Sequence, residues 1–145
     1  MLTSASMTKE IFLTVANKPG MLNKITAYLA NRGISIDGVV GLGIKGKDTA
    51  IILMVVDDIR RAMDALKDGD IGYAVERDAV MLEIRNRPGA LLSVTKILAQ
   101  MDINIDHFYA TKSSADAPAR VVLSTSDNER TFVALKKAVS VDIGQ

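Results

Sequence analysis

Two six-residue stretches decide the fold of this chain: Asn17-Lys18-Pro19-Gly20-Met21-Leu22 and Asn86-Arg87-Pro88-Gly89-Ala90-Leu91. They lie at an offset of 69 residues, measured from Pro19 to Pro88. The same offset, held without a gap, aligns Ile34-Ser35-Ile36-Asp37 with Ile103-Asn104-Ile105-Asp106. A single register that spans both halves indicates a tandem duplication. Its junction is expected near residues 76–78.

Each repeat has the same pattern of expected elements. Loosely alternating apolar residues predict strands, and apolar residues at positions i, i+3 and i+7 predict helices. A proline in the first helical turn is well tolerated, and Gly33 is expected to end the first helix. In the first repeat this gives strands at 11–15, 34–42, 50–56 and 71–75, with helices after residues 20 and 58. In the second it gives strands at 80–84, 103–110, 120–124 and 141–143, with helices at 89–101 and 127–138 and a polar loop at 111–118.

The order βαββαβ in each repeat is that of a ferredoxin-like split βαβ unit. The predicted class is therefore α+β, with two such units paired into a continuous antiparallel sheet and the helices on one face. We expect an N-terminal extension at residues 1–9, a first unit at 10–77 and a second at 78–145. A unit of about 70 residues has a small core and often needs a partner, which favours a homodimer.

The composition excludes most catalytic machinery. The 145 residues contain no cysteine and one histidine, so thiol chemistry and a metal site of several histidines within one chain are excluded. The sequence contains no nucleophilic-serine motif that could act with His107, so this histidine is expected on the surface or on a strand face. We therefore expect no catalytic residues, no metal and no cofactor.

Charge and hydropathy exclude two classes of partner. With 18 Lys and Arg against 17 Asp and Glu, the chain lacks the basic excess that nucleic acid attracts. No apolar run approaches the length of a membrane span, and residues 1–9 lack the pattern of a signal peptide. We expect no nucleic acid or membrane partner and a cytoplasmic location.

One glycine-rich motif matches the pattern of a dinucleotide site but lacks the structural setting of such a site. Gly41-Leu42-Gly43-Ile44-Lys45-Gly46 satisfies the G-x-G-x-x-G pattern of dinucleotide sites. That site requires a helix directly after the glycines, whereas the strand at 50–56 follows here. A hairpin loop is the better interpretation.

The duplicated turn and the I-S-I-D and I-N-I-D segments resemble those of tandem ACT domains, over residues 11–143. This resemblance implies a regulatory module that binds a small molecule, usually an amino acid. The ligand is expected at the interface where such domains or subunits pair, against the turn that enters the first helix. It also implies a regulated enzyme as a partner. In ACT modules that sense serine, asparagines of the turn and the second strand contact the effector. Asn86 and Asn104 retain this pair, whereas Asn17 is matched with Ser35. A histidine of those modules is replaced by Val15 and Ile84, which favours an effector with an apolar side chain.

The chemistry of the turns independently fits an amino acid. A helix N-terminus attracts a carboxylate, glycine allows close approach, and a cation and an amide stand beside it. Helix capping for the asparagines and surface roles for Lys18, Arg87, Asp37 and Asp106 are the structural alternatives. The expected ligand-binding residues are Asn17, Lys18, Pro19, Gly20, Met21, Leu22, Ser35, Asp37, Asn86, Arg87, Pro88, Gly89, Ala90, Leu91, Asn104 and Asp106.

Three other functions are associated with similar turns or with the same expected fold. The regulatory small subunit of acetolactate synthase also has such a turn, so this is the main alternative to a stand-alone sensor. Acylphosphatases share the expected fold, but their V-x-G-R-V-Q-G-V loop is absent. The RNA-recognition motif also has a related topology, but the expected central strands at 51–55 and 121–124 carry no aromatic residue.

Overall fold

Ten elements follow one another along the chain. The computed structural model describes residues 1–112 and 114–143, with side chains through residue 139. The elements are β1 (Leu2–Ala16), α1 (Met21–Ala30), β2 (Ile36–Gly43), β3 (Thr49–Val56), α2 (Ile59–Asp68), β4 (Tyr73–Ile84), α3 (Ala90–Gln100), β5 (Ile105–Thr111), β6 (Ala119–Thr125) and α4 (Asn128–Ile143). The α+β class with two βαββαβ units is confirmed.

Two compact units contain these elements. The repeat-1 unit consists of residues 9–77, and the repeat-2 unit consists of residues 1–8 together with those from 78 onward. β1 and β4 each cross the boundary, so each contributes one part to either unit. Each unit therefore contains four strand segments and two helices.

In the repeat-1 unit, β3 lies between β2 and the second part of β1. Both pairings are antiparallel, with Val15 opposite Ala50 and Val39 opposite Met54. The core lies between this sheet and helices α1 and α2. Its fully buried members include Ile11, Leu13, Ile25, Leu29, Met54, Ala62 and Leu66.

In the repeat-2 unit, β6 lies between β4 and β5, and the first part of β1 lies on the other side of β4. The backbone N–H of Arg85 donates to the Met1 carbonyl at 2.8 Å, and the Thr3 hydroxyl donates to the Glu83 carbonyl at 3.0 Å. The core again lies against the two helices, and Leu2 and Ala5 belong to it.

Two expectations need correction. The expected strand at 141–143 is wrong, because α4 continues as a helix to Ile143. No Gly or Pro interrupts the sequence from Asn128 to Ile143, so nothing in it stops the helix. The expected strands at 71–75 and 80–84 are one continuous strand, β4.

The N-terminal segment also differs from its expectation. Residues 1–9 were expected to be an extension outside both units, whereas Leu2–Thr8 is strand and residues 1–8 belong to the repeat-2 unit. This segment takes the fourth-strand position that was assigned to 141–143. It does so because Leu2 and Ala5 bury their side chains in the core of that unit.

The helix ends show how closely the repeats agree. The N–H of Ile34 donates to the Leu29 carbonyl and that of Ile103 to the Leu98 carbonyl, both at 3.0 Å. Gly33 was predicted to end α1; the helix itself ends at Ala30, and Gly33 follows in the left-handed conformation, with φ +68°. Asp102 adopts the same conformation at the aligned position, with φ +56°.

The described residues include no helix that is both long and apolar enough to cross a lipid bilayer. One residue of the expected loop 111–118, Ser113, and the last two residues of the chain lie outside the described residues.

The role of the first strand is testable through Leu2, which is 4% exposed. Leu2→Ala is expected to lower the free energy of unfolding by about 2–5 kcal/mol, because it removes buried methyl groups from the repeat-2 core. Met7→Ala is the control, since the Met7 side chain is 41% exposed. The control is expected to change stability by less than about 0.5 kcal/mol. Equal, small effects in urea denaturation would show that residues 1–8 are a dispensable extension.

Candidate ligand site

The two turns leave their helix N-termini open. Gly20 and Gly89 occupy the N-cap positions in the left-handed conformation, with φ of 85° and 88°. A glycine has no side chain that could accept a hydrogen bond from the first turn of the helix. The Lys24 N–H donates to the Gly20 carbonyl and the Ser93 N–H to the Gly89 carbonyl, and in α3 the Ala90 N–H also donates to the Arg87 carbonyl at 3.1 Å. At α1 no side chain caps the N–H groups that precede Lys24, and they carry the partial positive charge of the helix N-terminus.

Asn17 does not cap α1, which was the structural alternative for this residue. Its Nδ2 donates to the carbonyls of Ile44, at 3.3 Å, and Lys47, at 3.1 Å. Its backbone N–H donates to the Asp48 carbonyl at 2.8 Å. Asn17 thus fastens the β2–β3 hairpin to the turn before α1.

The glycine-rich segment is that hairpin, as expected from the strand that follows it. Gly43 has a specific reason to be glycine: a Cβ there would lie 2.9 Å from Asn17 Oδ1. A side chain at this position would push Asn17 away from the hairpin.

A cleft opens beside this turn, entirely within the repeat-1 unit. It has a volume of about 360 Å³ and lies between the first turns of α1 and the helix-side face of β2 and β3. Its floor is formed by the buried side chains of Ile25, Ile52 and Met54. Leu22 and Val39 line it and are 56% and 48% exposed, so it opens to solvent.

The structure brings four of the expected residues to this cleft: Asn17, Lys18, Met21 and Leu22. Pro19 and Gly20 shape the turn without lining it. Ser35 and Asp37 lie at the opposite end of β2 and are exposed. The Ser35 backbone N–H donates to Asp57 Oδ1 at 3.0 Å.

The expected residues of the second repeat do not surround a comparable cleft. Asn86, Arg87, Pro88 and Gly89 form an exposed turn, and Ala90 is buried in the core. The Asn104 amide donates to Asp106 Oδ1 at 3.0 Å, so these two side chains pair with each other on the surface. The sequence predicted that the second repeat is the better ligand site, because it retains both asparagines.

A small gap marks the corresponding place in the repeat-2 unit. Its volume is about 20 Å³, close to the room that one water molecule needs. Each residue that lines it follows a cleft residue by 69 positions; they are Leu91, Val94, Thr95, Ile105, Phe108, Val121 and Leu123. The two repeats therefore share one apolar site, open in the first and nearly closed in the second.

The sheet side of the cleft escaped sequence reasoning. The residues missed are Ile25 and Thr26 of α1 and, on the sheet side, Val15, Ala16, Ile36, Val39, Gly41, Leu42, Gly43, Ala50, Ile52 and Met54. A signal was present in the alignment of the repeats, since Val39 is matched with Phe108, Gly41 with Ala110 and Gly43 with Lys112. Smaller residues in one copy indicate room that the other copy lacks.

Comparisons with known proteins identify the family of this chain. A family model described as the AHAS small subunit-like ACT domain matches residues 11–68 and again 80–141. A search of curated protein sequences gives no match.

Solved structures are similar as well. A protein of Bacteroides thetaiotaomicron is 27% identical with a TM-score of 0.84, and the match covers 92% of this chain and 90% of that one. The ligand-free regulatory subunit of aspartate kinase from Thermus thermophilus is 22% identical with a TM-score of 0.67, over 94% and 97% of the two chains. Its counterpart from Thermus flavus is 20% identical with a TM-score of 0.65, over 98% of both. At these identities the two kinase subunits show the fold alone.

The anchoring role of Asn17 is testable by hydrogen exchange. Asn17→Ala is expected to speed amide exchange in the hairpin, for example at Lys47, because two side-chain hydrogen bonds to the loop are lost. Asn86→Ala is the matched control at the aligned position. It is expected to leave exchange at 44–48 unchanged. If Asn17→Ala also leaves the hairpin protected, Asn17 is not its anchor.

Proposed function

The chain belongs to the AHAS small subunit-like ACT domains, a family of regulatory domains, and on that premise we propose that it is a regulatory protein that binds an amino acid. The ligand binds in the repeat-1 cleft, with its charged end at the turn before α1 and an aliphatic side chain on the apolar floor. The observation that carries this proposal is the cleft itself, which extends from the turn to the buried Met54.

The charged end of an amino acid finds suitable partners at the turn. The open N–H groups at the start of α1 suit a carboxylate, because the helix dipole and the N–H donors act together. Lys18 lines the cleft and adds a cation. Asn17 Oδ1 accepts no hydrogen bond from the part of the chain that the structure describes, and it is an acceptor for the ligand's ammonium group.

The apolar end is matched to a small aliphatic side chain. The floor of Ile25, Ile52 and Met54 offers no charge and no hydrogen bond to a polar side chain. A volume of about 360 Å³ is near the lower end of the range for small-molecule pockets. Burying a polar or charged side chain there would cost its desolvation without a compensating bond.

The regulatory effect follows from mass action. A ligand that binds one state of the protein better than another shifts the balance toward that state.

We propose that the chain acts in a cytoplasmic homodimer and has no catalytic role of its own.

The second candidate is the regulatory small subunit of a separate biosynthetic enzyme. The family description favours it, since it refers to a small subunit, and the two Thermus structures are regulatory subunits of aspartate kinase. Both functions use the same ligand site. Co-purification with a larger catalytic chain distinguishes the regulatory subunit from the stand-alone sensor.

The proposal is tested by a thermal-shift screen of the common amino acids, followed by calorimetry. An amino acid with an aliphatic side chain is expected to raise Tm at millimolar concentration and to bind in calorimetry. Its carboxamide derivative is expected to bind much more weakly, because it lacks the negative charge for the helix N-terminus. If no amino acid binds at millimolar concentration, the proposed function is wrong.

Lys18 offers a second test within the site. Lys18→Gln is expected to weaken the binding of that amino acid by up to about fivefold, as an exposed ion pair would. It is also expected to reduce the salt dependence of binding. Arg87→Gln at the aligned position is the matched control and is expected to leave Kd unchanged. An equal loss in both variants would contradict a site at the first turn.

A further inference from the structure

We infer that two of the chain's own side chains close the second copy of the ligand site, Phe108 at its groove and Met1 at its turn, so that each chain takes one ligand. This inference rests on the proposed function and adds its stoichiometry and the residue that determines it. The determining position is the aligned pair Val39 and Phe108. Valine leaves the site of the repeat-1 unit open, and phenylalanine closes that of the repeat-2 unit.

Met1 stands at the turn of the repeat-2 unit, where the ligand's charged end would lie. Its carbonyl accepts from the Arg85 N–H at 2.8 Å, which holds it at the end of β4. The Arg87 Nε–H donates to Met1 Sδ at 3.1 Å, so the side chain of the cation that corresponds to Lys18 lies against Met1.

Gly20 and Gly89 differ in the space beside them. A Cβ built on Gly89 would lie 3.4 Å from the methyl carbon Cε of Met1. At Gly20 no described atom lies within 4 Å of such a Cβ. The approach to the turn is thus open in the repeat-1 unit and covered by Met1 in the repeat-2 unit.

Phe108 stands on the sheet side of the same site. It aligns with Val39, and both residues line the site of their own unit. The ring is larger than the valine side chain, and the remaining volume is about 20 Å³ against about 360 Å³. Its outer face is exposed, with 54% of the residue accessible, as expected of a group that lies across the mouth of a groove.

These contacts have a physical consequence. The repeat-2 unit already has its apolar groove covered, as a bound aliphatic side chain would cover the groove of the repeat-1 unit. The chain therefore has one open site and one closed copy.

The first experiment transfers the phenylalanine to the open site. Val39→Phe is expected to fold, because the aligned position already holds phenylalanine in the same setting. Val40→Tyr is the matched control: Val40 lies on the opposite face of β2, beside Leu53, and it aligns with Tyr109. Calorimetry uses L-valine, L-leucine and L-isoleucine as probes.

The wild-type chain is expected to bind one equivalent of whichever probe binds. Val39→Phe is expected to weaken that probe about 100-fold or more, since the room for its side chain is lost. Val40→Tyr is expected to bind like the wild type. Two equivalents per wild-type chain, or unchanged binding by Val39→Phe, would overturn the inference.

A ligand-free measurement separates this inference from the proposed function. Filling an open groove with apolar volume stabilises a fold, and removing a covering ring destabilises it. Val39→Phe is therefore expected to raise Tm without ligand, and Phe108→Val to lower it. If no probe binds but both shifts have these signs, the proposed function fails and the closed second copy stands. If Val39→Phe lowers Tm or Phe108→Val raises it, the inference fails, whatever binds.

Discussion

The left-handed glycine at the start of α1 and α3 is the constraint on which the candidate site depends. Because Gly20 and Gly89 have φ near +85°, the chain turns sharply from strand into helix without a side-chain cap. Three consequences follow at the first turn. The first N–H groups of α1 have no side-chain cap, Asn17 is free to hold the hairpin, and the hairpin in turn forms one wall of the cleft. An L-residue with a Cβ would be strained in this conformation.

Duplication provided two copies of this turn, and the sequence then made them different. The first copy keeps glycine and valine on its sheet side, at Gly41, Gly43 and Val39, and it retains an apolar groove. The second copy carries Phe108, and Met1 lies beside its turn. The difference requires no change of fold, because the aligned core residues remain buried in both units. It requires only larger or additional side chains at the mouth of the groove.

Much of the fold could be predicted from the sequence, because the offset of 69 residues lets each repeat support the interpretation of the other. The position of the fourth strand in the repeat-2 unit could not. Residues 1–8 contain few strongly apolar side chains, and they pair with residues about 80 positions away, which local periodicity does not reveal. The turn residues of the site were predictable from their motif. The sheet side of the cleft was not, because groove width depends on which side chains of β2 and β3 face the helix. The pairs of amides in the sequence favour Asn86 over Asn17 as a ligand contact, but the cleft that has room for a ligand lies beside Asn17.

The most direct test of this account is a crystal structure of the protein soaked with a mixture of amino acids. The account predicts electron density for one aliphatic amino acid per chain, with its carboxylate at the N-terminus of α1 and its side chain above Met54. It also predicts that the groove beside Phe108 contains no ligand. Density at the turn of residues 86–89 in place of the first turn, or an amino acid bound at both turns, would contradict it.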